Sequence, residues 1–121
     1  MSKETLFTKI INREISADIV YEDEHTLAFK DINPQAPYHV LIIPKKPIAT
    51  INDIVKEDRE LIGQLYCVAA ELAKTNGFAD TGYRVVMNCN EDGGQTVYHI
   101  HLHMLAGQEM GWPPYTNKMK A

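Results

Sequence analysis

Cysteine is nearly absent: Cys67 and Cys89 are the only two among 121 residues, and they stand far apart. They form no Cys-x-x-Cys pair, no zinc-ribbon spacing and no disulfide framework, which excludes a thiol redox centre, a structural zinc module and a disulfide-stapled secreted domain. A reducing cytoplasm is the expected compartment. No apolar run approaches the ~20 residues that cross a bilayer. Met1-Ser2-Lys3-Glu4-Thr5 leads into no apolar block, so neither a membrane span nor a secretory leader is expected. Positive charge is also scarce, with 12 Lys+Arg against 16 Asp+Glu and a net charge of −4. Its only clusters are Lys45-Lys46 and the pair Lys118 and Lys120. Without a basic stripe, a nucleic acid polymer is not an expected partner. A small anion remains compatible, because main-chain N–H groups can hold one.

What is present is an ordinary globular profile, 45% hydrophobic and 23% charged, at a length that suits one domain. Residues 1–121 read as that single domain, with a core over about 5–114 and a tail at 115–121. Leu6, Phe7, Ile10 and Ile11 recur with helical spacing between Thr5 and about Asn12. Val20–Glu22 and Thr26–Lys30 read as two short strands around a polar turn. His39–Ile43, continuously apolar after the histidine and stopped by Pro44, reads as a central strand. Pro47–Asp53 reads as a connection with at most a short helical turn. The strongest helix runs from Lys56 to about Asn76, with Leu61, Ile62, Leu65, Val68, Ala69, Leu72 and Ala73 on one stripe and Gly77 as its stop. Its opposite face carries Gly63, Tyr66, Cys67 and Ala70 with little charge, the pattern of a subunit contact. Tyr83–Asn88 and His99–Ala106 read as the last two strands, Cys89–Tyr98 as a loop between them, and Gly107 onward as irregular. Most connections are too short for parallel crossovers. The fold class is therefore α+β, a mainly antiparallel sheet with helices packed on it.

The informative stretch is His99-Ile100-His101-Leu102-His103-Met104-Leu105. Strand side chains alternate, so three histidines share one face and Ile100, Leu102 and Met104 the other. Three imidazoles give up apolar burial, a cost that proteins tend to accept at functional sites. Metal binding is one use for such a row. Alternate residues lie ~7 Å apart, however, so one ion reaches two neighbours and needs a third ligand from His39, Cys89 or Asp92. Phosphoryl or nucleotidyl transfer is the better match: one imidazole attacks phosphorus while others hold oxygens or move protons. Asp92-Gly93-Gly94-Gln95-Thr96 leads into the row, with glycines that admit a ligand close to the backbone and a threonine hydroxyl. It lacks the ending of a nucleotide-binding P-loop. Asp31 reads as a turn-former or as an acceptor for a ligand.

These residues resemble the histidine triad superfamily, whose pattern of three histidines alternating with apolar residues is met by His99 to Leu105. The resemblance extends to Phe29-Lys30-Asp31-Ile32-Asn33-Pro34-Gln35-Ala36-Pro37, to His39-Val40-Leu41-Ile42-Ile43-Pro44-Lys45-Lys46, to Asp92-Gly93-Gly94-Gln95-Thr96-Val97-Tyr98 and to Trp112-Pro113-Pro114. It covers about Leu6 to Pro114 and is closest to the branch of histidine triad nucleotide-binding proteins, the purine nucleoside phosphoramidases. The resemblance implies a five-stranded sheet with one long and one short helix, doubled in a homodimer to ten strands. It implies a hydrolase that cleaves the P–N bond of adenosine 5′-phosphoramidates through an AMP-histidine intermediate, with no cofactor and no metal. His101 is implied as the nucleophile and His103 as a ligand of the α-phosphate. His99 and His39 would orient the others and manage protons, and Thr96 would serve the leaving amine. Asp31 would accept from the ribose hydroxyls with Ile32 beside it. Asn88, Gly94 and Gln95 would contact the phosphate region, Phe7, Ile10 and Phe29 would line the purine pocket, and Trp112 would reach toward the partner subunit's site. Three departures bear on the preferred amine: threonine at 96 where serine is common, Gly107-Gln108-Glu109 without the usual arginine, and a tail, Tyr115 to Ala121, additional to the shortest members. The alternative readings are a nucleotide-binding scaffold with incidental catalysis and a metal-dependent hydrolase.

Overall fold

The computed structural model describes residues 4–114. Thr5 opens the first helix, α1 (Leu6–Ile11), by a reciprocal cap: its side chain accepts from the Phe7 and Thr8 N–H groups, and its own N–H donates to Thr8 Oγ1 at 2.7 Å. Arg13, in the left-handed region at φ 64°, turns the chain out of the helix. Strands β1 (Ile19–Glu22), β2 (Thr26–Lys30) and β3 (Tyr38–Pro44) then form an antiparallel meander. After two single 3₁₀ turns, Ile51–Asp53 and Lys56–Asp58, the long helix α2 (Arg59–Asn76) crosses over to β4 (Tyr83–Val86). One further helical turn, α3 (Asn90–Gly93), precedes β5 (Leu102–Ala106). The sheet order is β1-β2-β3-β5-β4, every neighbouring pair antiparallel, so the last strand is inserted between β3 and β4.

Strand alternation divides the core in two. Ala28, Val40, Ile42, Leu102 and Met104 face α2 and pack on Leu65, Val68, Ala69, Leu72 and Ala73. Leu27, Phe29, Leu41 and Ile43 face the other way and pack on Phe7 and Ile10 of α1. The predicted α2 stripe is thus buried along its middle and C-terminal end, while Leu61 and Ile62 are half-buried where the helix enters. The helix itself starts three residues later than its periodicity suggests. Asp58 reaches back to accept from the Val55 N–H at 3.1 Å and from Lys46 Nζ at 2.6 Å, which tightens the first turn to 3₁₀. Gly77, at φ 83°, closes it with a left-handed cap.

Two strand boundaries are corrected. The last strand begins at Leu102 rather than His99. Pro44 has no N–H to extend the β3–β5 ladder, and the Ile100 N–H donates instead to the Ile48 carbonyl at 2.8 Å. By the same register Asn88 would fall opposite His101, outside the ladder, and β4 ends at Val86. The expected loop at 89–98 contains the one-turn helix α3. No helix among the described residues is long and apolar enough to cross a membrane.

One glycine is required where it stands. Gly107 follows β5 at φ 97°, and a Cβ there would lie 2.9 Å from Pro37 Cβ. Gly107→Ala is expected to destabilise the fold by at least ~1 kcal/mol, read from the shift in denaturant midpoint, because strain and a clash add. An unchanged midpoint would show that the 31–37 loop yields freely.

Candidate active site

The face that packs on α1 continues past the core into polar residues by simple parity. On β3, His39 shares it with Leu41 and Ile43; on β5, His103 lies directly opposite Leu41 and diagonal to His39. Asp31, one step beyond β2 and bonded through its N–H to the His39 carbonyl at 3.0 Å, joins them. His101 and His99 complete the row before the ladder begins. The Phe7 ring from α1 stands edge-on to His101, with centroids 5.0 Å apart, and touches Phe29 at 5.5 Å. Between α1 and this row lies a cavity of about 220 Å³, with Phe7, Ile10 and Phe29 as its apolar wall and Asp31, His101 and His103 at its polar end.

Each imidazole has a different task. His99 is buried, and its Nε2 donates to the Pro44 carbonyl at 2.7 Å, tying the approach to β5 onto the end of β3. His101 Nδ1 lies 2.8 Å from the His99 carbonyl. A carbonyl only accepts, so Nδ1 carries the proton and Nε2 keeps a lone pair. His103 Nδ1 lies 2.9 Å from His39 Nε2, and His39 Nδ1 accepts the Gln35 main-chain N–H at 3.0 Å. Asp31 uses one oxygen to accept the Asn33 N–H at 2.8 Å, and its other oxygen is 3.5 Å from His39 Nε2. Asp31 is therefore a turn-former that also borders the cavity.

Burial sets the charge state of the row. Desolvation lowers the pKa values of His39, His99 and His101, opposed in His39 and His101 by the nearby Asp31 carboxylate. His103 is pushed down to about 4 by burial, reinforced by His101 and His39. All four are neutral at pH 7. With folded pKa values below that of a free imidazole, the unfolded chain binds more protons as the solution becomes acidic. The contribution is complete above the unfolded value of ~6.5 and is lost as pH falls through the folded values. Chemical denaturation at pH 7 and pH 5 is expected to show lower stability at pH 5, and His103→Gln should shrink that difference. An equal loss in the variant would rule out His103 as a contributor.

Among the residues singled out by the sequence, Phe7, Ile10, Phe29, Asp31, Ile32, Thr96, His101 and His103 line the cavity. Ile32 stands at its rim, 94% exposed. His39 and His99 lie behind it. Asn88, Gly94 and Gln95 do not line it. Gln95 is buried and acts as a clasp: its Nε2 donates to the Ala49 carbonyl at 2.7 Å and the Val97 carbonyl at 3.0 Å, and its Oε1 accepts the Asn90 N–H at 2.9 Å. This fixes the loop that presents Thr96. Trp112 is 81% exposed and touches none of the cavity. Ile15, Ser16 and Ala17, which also line it, follow α1 in a connection without periodicity that no pattern flags. Leu41 was accessible through β3 alternation.

The metal alternative also meets a different geometry. The cluster with metal-like spacing among the described residues is Asp31, His39 and His103, with ligand atoms within 4.8 Å of one another. Neither a pair of neighbouring triad histidines nor Cys89 or Asp92 takes part in it.

A five-stranded antiparallel sheet that lines up alternate histidines beside a carboxylate-rimmed apolar cavity defines the histidine-triad class of α+β proteins. The sequence pattern of the HIT domain matches residues 12–110, and the chain belongs to that family. It is 52% identical over 111 residues to a purine nucleoside phosphoramidase of Escherichia coli (strain K12), covering 92% of this chain and 93% of that protein. It is similar in structure to a HIT family hydrolase from Legionella pneumophila Philadelphia 1, with a TM-score of 0.90, 55% identity and coverage of 92% of this chain and 99% of the other. A histidine triad protein from Clostridium difficile follows at a TM-score of 0.87 and 44% identity, covering 92% and 97%.

Proposed function

We propose that this protein is a purine nucleoside phosphoramidase, hydrolysing the P–N bond of adenosine 5′-phosphoramidates and related purine nucleotides. The observation that carries the reading is the fixed tautomer of His101. With Nδ1–H held by the His99 carbonyl, the Nε2 lone pair of a neutral imidazole is free to attack phosphorus. Similarity over nearly the full length to the Escherichia coli enzyme supports it.

In this scheme the base enters the apolar cavity against Phe7, Ile10 and Phe29. Asp31 accepts from the ribose hydroxyls beside Ile32, and His103 binds the α-phosphate. Thr96, presented by the loop that Gln95 clasps, borders the phosphate. Nε2 of His101 forms a bond to the α-phosphorus as the P–N bond breaks, and the amine departs with a proton from solvent relayed by the Thr96 hydroxyl, which the proton released by the attacking water later replaces in solution. Water then attacks the AMP-histidine bond, releasing AMP and restoring His101. No step calls on a metal.

The working form is a homodimer in the cytoplasm. Two features support a twofold contact. Gly63, Tyr66 and Cys67 are exposed on α2, and Gly63 and Cys67 floor a groove of about 940 Å³ bordered by Asp23, His25 and Glu60. Of the two sheet edges, β1 carries a bulge between Ile19 and Tyr21, whereas the β4 ladder is regular. Bulges oppose edge-to-edge addition, so β4 is the edge that extends the sheet to ten strands.

The deciding experiment is turnover of adenosine 5′-phosphoramidate by the wild type in excess EDTA. Release of AMP unaffected by the chelator is the expected result. Tight AMP binding without turnover would replace the reading with a nucleotide-binding scaffold, and activity lost to EDTA but restored by zinc would replace it with a metal-dependent hydrolase.

A further inference from the structure

The hydrogen-bond chain behind the cavity has one fixed point. The Gln35 main-chain N–H donates to His39 Nδ1 at 3.0 Å, and a main-chain N–H has no other role. His39 Nδ1 therefore carries a lone pair, and the one proton of neutral His39 sits on Nε2. That nitrogen faces His103 Nδ1 at 2.9 Å. Asp31 Oδ2 is 3.5 Å from it, too far to take the proton from His103. His103 Nδ1 is thus the acceptor, and the proton of neutral His103 sits on Nε2, the nitrogen not engaged with His39.

We propose that the Gln35 main-chain N–H is a tautomer lock, which makes His103 an obligate Nε2–H donor toward the phosphoryl oxygens and closes the Asp31–His39–His103 cluster to divalent metal. The first consequence rests on the placement of the α-phosphate at His103 given above; the second does not. A metal on His39 Nε2 would need the ring proton on Nδ1, where it would meet the Gln35 N–H, donor against donor. Metal-bound histidines characteristically hand their second N–H to an acceptor. The cluster has the spacing of a metal site and the wrong outer partner.

The lock also reassigns His39. A second proton on Nδ1 would break the bond to Gln35, so of the two roles the resemblance implies for His39, orienting its neighbours and managing protons, the lock favours the first. His39 and Gln35 are positioning residues. The loop that holds Gln35 is stiffened for this: Pro34 and Pro37 flank it, Asp31 closes an Asx turn onto Asn33, and Gln35 Nε2 donates to the Asn33 carbonyl at 3.0 Å. The same short segment thus carries the sugar-binding carboxylate and the tautomer lock.

Gln35→Pro deletes the N–H, and Gln35→Ala keeps it. In Gln35→Pro, kcat is expected to fall at least about tenfold with KM within about threefold, as for a lost interaction made mainly in the transition state. Zinc should inhibit it at concentrations at least about tenfold below those needed for the wild type. Gln35→Ala keeps the N–H and loses only the side-chain bond to the Asn33 carbonyl, so its kcat should fall no more than about threefold and its zinc response should stay that of the wild type. Nitrogen-15 spectra of the histidine rings in the ligand-free wild type should show Nδ1 unprotonated and Nε2 protonated in both His39 and His103. A wild-type His103 protonated on Nδ1 overturns the proposal, as does a folded Gln35→Pro with wild-type kcat and zinc response. If Gln35→Pro does not fold, the wild-type spectra decide alone. A wild type inactive on phosphoramidates defeats the functional reading, yet leaves the ring tautomers and the zinc response to be read independently.

Discussion

His101→Ala is expected to reduce kcat for adenosine 5′-phosphoramidate by a factor on the order of 10⁴ or more, since loss of a covalent nucleophile removes the intermediate. AMP should still bind. The cavity wall of Phe7, Ile10 and Phe29 and the Asp31 carboxylate belong to other elements, and the Nδ1–H of His101 bonds only to a main-chain carbonyl two residues away. The variant loses the edge contact with Phe7 at 5.0 Å, which costs ~1 kcal/mol and not the fold. Single-turnover measurements with mass detection separate the explanations. The wild type should pass through a protein species heavier by one AMP group, and the variant should not. A variant that keeps more than about a tenth of wild-type kcat would place the nucleophile elsewhere.

Asp31→Asn is expected to weaken purine ribonucleotide binding about 10- to 100-fold while changing kcat much less, because it removes hydrogen bonds to a charged acceptor, worth ~1.5–3 kcal/mol. Asparagine keeps an oxygen for the Asn33 N–H, so the turn survives. The discriminating ligand is a 2′,3′-dideoxynucleotide, which lacks both hydroxyls. Calorimetry should find the variant and the wild type alike toward it. An equal penalty on ribose and dideoxyribose ligands would mean that Asp31 acts through His39, 3.5 Å away, and not on the sugar.

The sheet and the histidine row were legible because both rest on strand parity. β2 is found at its predicted bounds, and the structure adds only Tyr38 and Pro44 to the predicted β3. What parity cannot show is where a ladder stops. His99 to His101 read as strand by alternation, yet Pro44 ends the pairing, and their geometry comes from bonds to carbonyls. Nor can spacing along one strand reveal partners across the sheet. The close triple of Asp31, His39 and His103 exists because three strands lie side by side; a one-dimensional reading could name His39 only alongside Cys89 and Asp92 as a third ligand, and missed Asp31. Gln95 shows a third limit. A polar side chain in a glycine-containing loop looks free for a ligand, and only the fold shows that Ala49, Val97 and Asn90 consume its hydrogen bonds.

The insertion of β5 between β3 and β4 has a consequence for synthesis. A nascent chain that has emerged as far as β4 holds two strands separated by an empty lane, and the segment that fills the lane also carries the triad. Sheet closure and assembly of the histidine row are one event, reached through contacts distant in sequence and only once β5 itself has emerged. A ribosome stalled before residue 106 therefore releases a chain with two unsatisfied strand edges, a substrate for chaperones and proteases, and with no reactive imidazole row to act on nucleotides prematurely.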